Sequence, residues 1–215
     1  MWKSRVRRER IAMKQQVREL LAELERRGAD HDAREADHAR KMLNLEPETA
    51  QLLSILVRSS RARRVLEIGT SNGYSTIWLA SAAAETGGQL ISIERSADKQ
   101  AMARENLARA GLAGQVALIL GEATAVVRDL AGPFDFVFFD ADRLSAPEQL
   151  KLLAGKLAPQ VVIAADNALS HAQEIAGYLK AVSALEGFEH LVIPVGKGLS
   201  LAHRGAKWAA RANSG

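Results

Sequence analysis

RVLEIGTSNGYSTIWLA, residues 64–80, runs from a short apolar segment through Gly69 and Gly73 into an apolar-periodic stretch. It reads as strand, glycine turn, helix. In an open α/β sheet such a turn lies at the carboxyl end of a strand, where backbone approaches a ligand closely and N–H groups at the helix start face it. The spacing is Gly-x-x-x-Gly. It lacks the middle glycine of the dinucleotide fingerprint and the Gly-Lys-Ser/Thr ending of a phosphate loop, which argues against NAD and ATP. The same turn also joins strand to helix where no ligand binds.

The next apolar run, QLISIE, ends in Glu94, 21 residues after Gly73. An acid at that distance from the turn accepts the hydroxyls of a ribose in nucleotide-binding sheets. Turn and acid together favour a ribose-bearing cofactor over a plain loop residue. Two further strand ends carry oxygen ligands: FDFVFFDAD runs into Asp140, and VVIAADN runs into Asp166 and Asn167. Successive parallel strands put their carboxyl ends on one edge, so these oxygens can converge beside the turn. Two carboxylates and an amide carbonyl form an oxygen-only set that suits Mg²⁺, Mn²⁺ or Ca²⁺ better than Zn²⁺. Taken singly, each is equally at home as a loop or helix-capping residue.

Strand and helix patterns alternate along the rest of the chain. Strands are expected near 64–68, 89–94, 115–120, 134–139, 160–165, 187–193 and 198–203, with helices starting near Gly73, Ala97, Ala123, Ala146 and Ser170. Helices near 3–27, 31–41 and 47–59 precede them. The expected fold is α/β: a Rossmann-like, doubly wound, mostly parallel sheet with a C-terminal antiparallel hairpin and an N-terminal helical extension. Residues 1–60 form that extension within the same domain, 61–204 the cofactor-binding domain and 205–215 a frayed tail.

At this point the chain resembles the metal-dependent S-adenosylmethionine O-methyltransferases of the catechol and caffeoyl-coenzyme A type. The resemblance covers roughly residues 42–204. It rests on LEIGTSNGYS from Leu66, ISIE from Ile91, GEATAVVRDL from Gly121, FDFVFFDAD, ADN and IPVGKGLSLAHR from Ile193, in that order. The resemblance assigns Glu67, Gly69, Thr70 and Ser75 to the methionine end of the cofactor, Glu94 to the ribose and Ala123 to the adenine. Met42 and Asn44 match the segment that closes over the cofactor. Asp140, Asp166 and Asn167 match the metal ligands, with Asp140 beside the cofactor as well. The implied reaction moves a methyl group from S-adenosylmethionine to a hydroxyl of a small catechol-like or phenolic acceptor.

A free phenol has a pKa of about 10, so little nucleophile exists at neutral pH. A divalent cation, Mg²⁺ first among the candidates, favours the phenolate, and chelation by vicinal oxygens orients it toward the sulfonium methyl. Arg143 stands where the family usually has lysine. Arginine stays charged, so Arg143 is a poor general base and is expected to stabilise a phenolate or hold an anionic substrate. With Asp140 it makes up the expected catalytic pair. A binding protein that keeps the cofactor fold without catalysis is another reading that Arg143 motivates.

At 215 residues and 47% apolar content the chain can bury one full core, and the absence of cysteine excludes disulfides. No apolar run approaches membrane-spanning length and no signal-peptide pattern precedes the basic start, so a cytoplasmic location without membrane attachment is expected. The formal charge of +4 sits unevenly: residues 1–27 hold nine Lys or Arg against four Glu, and the remainder holds 20 against 21. Val6, Met13, Val17, Leu20 and Leu24 fall at helical spacing in this basic segment. Their apolar stripe needs either the core or a second subunit as a cover, and a homodimer is expected. The arginines read as a solvated face or as a phosphate-gripping patch. Because some relatives resemble tRNA wobble-hydroxyuridine O-methyltransferases, tRNA is the alternative acceptor.

Overall fold

The computed structural model describes residues 13–205. Its elements in chain order are α1 (Gln15–Arg34), α2 (Pro47–Ser59), β1 (Arg64–Ile68), α3 (Tyr74–Glu85), β2 (Gln89–Glu94), α4 (Ala97–Arg109) and β3 (Val116–Leu120). They continue with α5 (Ala123–Asp129), β4 (Phe134–Phe139), α6 (Ala146–Leu153), β5 (Leu157–Ala165), α7 (Ala172–Ser183), β6 (Glu189–Ile193) and β7 (Leu199–Arg204). The seven strands form one sheet in the order β3-β2-β1-β4-β5-β7-β6. Pairings among β1 to β5 are parallel, whereas β7 runs antiparallel to both β5 and β6. Chain order reverses between β1 and β4, and this switch point opens a crevice at the strands' carboxyl ends.

Alternating side chains on the strands feed two apolar clusters, one on each face of the sheet. On β4, Phe136 and Phe138 join α1, α2 and α3, while Val137 and Phe139 face α6 and α7 with Ile175 and Tyr178. Local chemistry sets the helix starts. Pro47, with no N–H to lose, occupies the first turn of α2. The Ser96 hydroxyl caps α4 by accepting from the Lys99 N–H, and the Glu122 carboxylate caps α5 by accepting from Thr124 and Ala125 at 2.9 Å.

Two expected boundaries need correction. The expected pair of helices near 3–27 and 31–41 is, within the described residues, one helix: α1 runs unbroken from Gln15 to Arg34, and only a 3₁₀ turn, His38–Arg40, follows. Gly28 ends nothing; it leaves room for Asn44, whose Nδ2 would lie 2.5 Å from a Cβ there. The fifth strand starts at Leu157 instead of 160, because Leu157 pairs with Phe134 and a register irregularity then carries the strand past Pro159 before Val162 pairs with Phe136. Val17, Leu20, Leu21 and Leu24 are buried in the chain's own core, so this part of the apolar stripe is covered without a second subunit. Residues 3–12 of the expected first helix, Val6 among them, and tail residues 206–215 lie outside the described residues.

Candidate active site

The turn after β1 is built around a backbone contact. Gly69 has φ +107°, and a Cβ on it would lie 2.2 Å from the carbonyl oxygen of Asp140, so glycine is required for β1 and β4 to stay in register here. The Asp140 N–H in turn donates to the Ile68 carbonyl at 2.8 Å. Ser71, at φ +48°, is held from two sides: its N–H donates to Glu94 Oε2 at 2.8 Å, and its hydroxyl donates to the Met42 carbonyl at 2.7 Å. Glu94 Oε1 accepts the Ser96 N–H at 2.9 Å. Each carboxylate oxygen of Glu94 thus keeps a lone pair for a further donor.

Beneath the turn, Glu67 is fully buried. Its Oε1 accepts from the Ser75 hydroxyl, and its Oε2 from the hydroxyls of Thr76 and Ser92, all at 2.6 Å. Since Ser92 gives its one proton to Glu67, the Thr70 hydroxyl, 2.6 Å from Ser92 Oγ, is the donor to it. Burial pushes the Glu67 pKa up to about 7 against these bonds, and the nearby Glu94 adds to the rise. Glu67, Thr70 and Ser75 therefore form one hydrogen-bonded shelf under the turn.

A strap crosses from α1 to α2 on the other side. Asp32 accepts the N–H of Met42 at 2.7 Å and of Leu43 at 2.8 Å. Lys99 Nζ holds the Lys41 carbonyl at 2.7 Å, and Asn44 Nδ2 donates to the Leu24 carbonyl at 2.9 Å. The Asn44 Oδ1 is buried without a partner.

Asp140 and Asp166 follow the paired residues Phe139 and Ala165, so strand register alone sets them side by side. Burial raises both their pKa values, and for Asp140 the neighbouring carboxylates of Asp166 and Glu67 raise it further. Asp166 reaches about 6, with Glu46 adding to the effect and the Asn167 N–H, Lys197 and Arg143 opposing it. Its Oδ1 is buried with no hydrogen-bond partner. Asn167 follows at φ +64°, and its Oδ1 accepts from Arg143 Nη1 at 3.1 Å. Arg143 is anchored by Glu174, whose Oε2 takes Nε at 2.9 Å and Nη2 at 2.8 Å. Asp140, Arg143, Gln149, Asp166 and Asn167, with apolar Phe139 and Ile175, line a cleft of about 270 Å³, its solvent-open mouth included.

The last hairpin closes this edge. The N–H groups of Ala168, Leu169 and Ser170 donate to the carbonyls of Gly198 (2.8 Å) and Lys197 (3.1 and 3.0 Å). Lys197 Nζ pairs with Glu46 Oε1 at 2.8 Å. Burial works against the ammonium, but the Glu46 pair outweighs it and holds the Lys197 pKa above the ordinary lysine value.

The donor set fits a hard cation. Among the described residues no three His, Cys, Asp or Glu side chains gather as a metal cluster. Two carboxylates, one with an orphaned buried oxygen, and an amide oxygen with one lone pair left after Arg143 do supply an oxygen-only site.

Comparison with known proteins decides the family. Residues 12–205 match the O-methyltransferase family. The chain belongs to that family. Among relatives of this chain, a catechol O-methyltransferase of Niastella koreensis is 36% identical over 131 residues, 59% of each chain. One of Mycobacterium tuberculosis is 44% identical over 97 residues, 45% of this chain and 44% of the other. The chain spans about half the length of these two relatives. Among solved structures, the Bacillus cereus O-methyltransferase in complex with SAH superposes with a TM-score of 0.74 at 27% identity, covering 87% of this chain and 91% of that one. Cofactor-bound Rv0187 from MTB gives 0.73 at 31%, covering 86% and 88%.

Of the residues expected from sequence, Met42, Gly69, Glu94 and Asp140 meet around the Ser71 turn, and Asp140, Arg143, Asp166 and Asn167 share the cleft. Glu67, Thr70 and Ser75 lie beneath the turn, and Ala123 opens α5 on the same edge. Asp32, Ser71, Glu174 and Lys197 were missed. Ser71 lies inside the glycine motif and was within reach of sequence reading, whereas the other three act through partners distant in sequence.

Proposed function

We propose that this protein transfers the methyl group of S-adenosylmethionine to a hydroxyl of a small catechol-like acceptor with the help of a divalent cation, Mg²⁺ before Mn²⁺ or Ca²⁺. The observation that carries the reading is the buried, unpartnered Asp166 Oδ1 beside Asp140 at the switch-point edge, next to the glycine turn. The solved relatives, one in complex with SAH and one described as cofactor-bound, support the donor. The catechol O-methyltransferase relatives support the acceptor class.

In this reading Glu94 accepts the ribose hydroxyls with the lone pairs left by Ser71 and Ser96. Gly69 and Thr70 receive the methionine end, with Glu67 and Ser75 fixing the turn from below. Met42 and Asn44 close the strap over the cofactor, and Ala123 meets the adenine at the start of α5. Asp140, Asp166 and the free lone pair of Asn167 would hold the cation. When bound, such an ion lowers the pKa of a coordinated hydroxyl and fixes its orientation. The methyl carbon then bonds to the acceptor oxygen as its bond to sulfur breaks. Positioning of the two reactants supplies much of the acceleration.

The test is methyl transfer from labelled S-adenosylmethionine to a catechol panel and, in parallel, to bulk tRNA, with Mg²⁺ and with excess chelator. Chelator-sensitive labelling of a catechol is expected. Labelling that persists in chelator removes the cation from the reading, and labelling of tRNA alone replaces the acceptor class.

A further inference from the structure

Arg143 sits where proton transfer from an acceptor would be expected, yet its surroundings give it different work. Two of its N–H groups are committed, Nε to Glu174 Oε2 at 2.9 Å and Nη1 to Asn167 Oδ1 at 3.1 Å, and Nη2 lies at ion-pair distance, 2.8 Å, from the same Glu174 oxygen. Asn167 Nδ2 donates to the Ser170 hydroxyl at 3.3 Å, so both ends of the amide are fixed. Asn167 also occupies a left-handed conformation, φ +64°, that aims its side chain independently of the strand behind it. Glu174, on the first turn of α7, matches the guanidinium charge. Arg143 therefore acts on Asn167 mainly through direction and little through net repulsion.

We propose that Glu174 and Arg143 form a positioning pair that aims the Asn167 amide oxygen into the cleft, and that no side chain of the cleft takes the acceptor's proton. The inference rests on the proposed cation-assisted transfer and names residues for it. Charged groups approach this corner from every side: Asp140, Asp142 and Arg143 after β4, Asp166 on the edge of β5, His171 and Glu174 on α7, Glu46 before α2 and Lys197 on the hairpin. Of these, Asp140 and Asp166 are the cation's ligands, and Asp142 accepts from the Ser145 hydroxyl and the Leu144 N–H. His171 is engaged with the Ser170 hydroxyl at 2.8 Å, and Lys197 is engaged with Glu46. Arginine does not deprotonate in proteins. As the acceptor oxygen bonds to the methyl carbon, the carbon–sulfur electron pair stays on sulfur and the hydroxyl proton goes to bulk water.

The experiment has two readouts on the full chain. First, Mn²⁺ binding to the cofactor-free protein is followed by the loss of the free-ion electron paramagnetic resonance signal, in wild type, Glu174→Gln and Arg143→Lys. Glu174 is half exposed, so Glu174→Gln should fold, and a thermal melt checks it. Loss of an outer-shell partner typically costs about 10- to 100-fold in metal affinity. Glu174→Gln should weaken Mn²⁺ by about tenfold or more, since it both frees Arg143 and leaves its charge uncompensated. Arg143→Lys should weaken it as well, because a point charge cannot serve Glu174 and Asn167 together. Second, the single-turnover rate is measured against pH with catechol and with the more acidic 4-nitrocatechol. In wild type the inflection should move to lower pH with the more acidic acceptor, and Arg143→Lys should add an inflection common to both. Unchanged Mn²⁺ affinity in Glu174→Gln, or a wild-type inflection identical for the two acceptors, overturns the inference while leaving the proposed function standing. Failure of the wild type itself to bind Mn²⁺ overturns both.

Discussion

Glu67→Gln should change how stability depends on pH. Glu67 is fully buried, and its pKa rises from 4.5 to about 7, with burial as the leading cause. A group whose folded pKa is raised stabilises the protein below its unfolded pKa and loses that contribution as pH climbs to the folded value. The window therefore runs from 4.5 to about 7. Within it the unfolded chain has released a proton that the folded protein still holds. Each tenfold change in proton affinity is worth about 1.4 kcal/mol, so Glu67 should remove about 3 kcal/mol of stability across the window. Glutamine keeps the shape and does not titrate. One of the three hydroxyls must turn to accept from its amide, at a cost that does not vary with pH. Urea unfolding of both proteins, in chelator and at steps from 4.5 to above 7, gives the two stability curves. The gap between them should shift by about 3 kcal/mol in favour of the variant as pH rises. Asp140 and Asp166 also titrate upward and are present in both proteins; because the Glu67 charge itself raises Asp140, its removal relaxes Asp140 as well, and that relief adds to the variant's gain with the same sign. Parallel curves would refute the claim that this carboxyl is held protonated by burial.

Asp166→Asn should raise the stability of the metal-free protein above pH 7 by about 1–2 kcal/mol, because it removes a charge that burial disfavours. In excess Mg²⁺ the order should reverse, since only wild type gains stability from the ion, and thermal melts with and without Mg²⁺ read both signs. Asp32→Ala removes the carboxylate that accepts two hydrogen bonds from the strap, donated by the N–H groups of Met42 and Leu43. At about 1–3 kcal/mol it should weaken S-adenosylmethionine binding by roughly 5- to 100-fold, while turnover at saturating cofactor changes little. Calorimetric titration with S-adenosylmethionine measures the first effect, and an unchanged affinity would remove the strap from the cofactor site.

What could be read in the sequence was what local pattern encodes. The β1 run ending in glycine, the Glu94 spacing and the two apolar runs ending in Asp140 and Asp166 all sit within single strand ends. Parallel topology then brings strand ends to one edge without further information. The misread boundaries have the opposite origin. Gly28 resembles a helix end until Asn44, 16 residues on, is seen to fill the space beside it. Pro159 resembles a strand breaker until the irregular β4–β5 pairing absorbs it. Glu174 contacts Arg143 across 31 residues, and Asp32 reaches Met42 across ten. Such contacts leave no periodic trace, and only the folded arrangement of loops discloses them.

The three hydrogen bonds from residues 168–170 to Lys197 and Gly198 also bear on the order in which the site can be completed. β7 lies between β5 and β6 in the sheet although it comes after both in the chain. Until Leu199–Arg204 is in place, β5 is an open edge and the turn bearing Asp166 and Asn167 has donors with no acceptors. A chain emerging during synthesis can therefore assemble the glycine turn and Glu94 early, from β1 and β2. It must wait for the last hairpin before the carboxylate corner becomes rigid, so a nascent or truncated chain ending before Lys197 has the glycine-turn side of the cleft and lacks a firm Asp166–Asn167 corner.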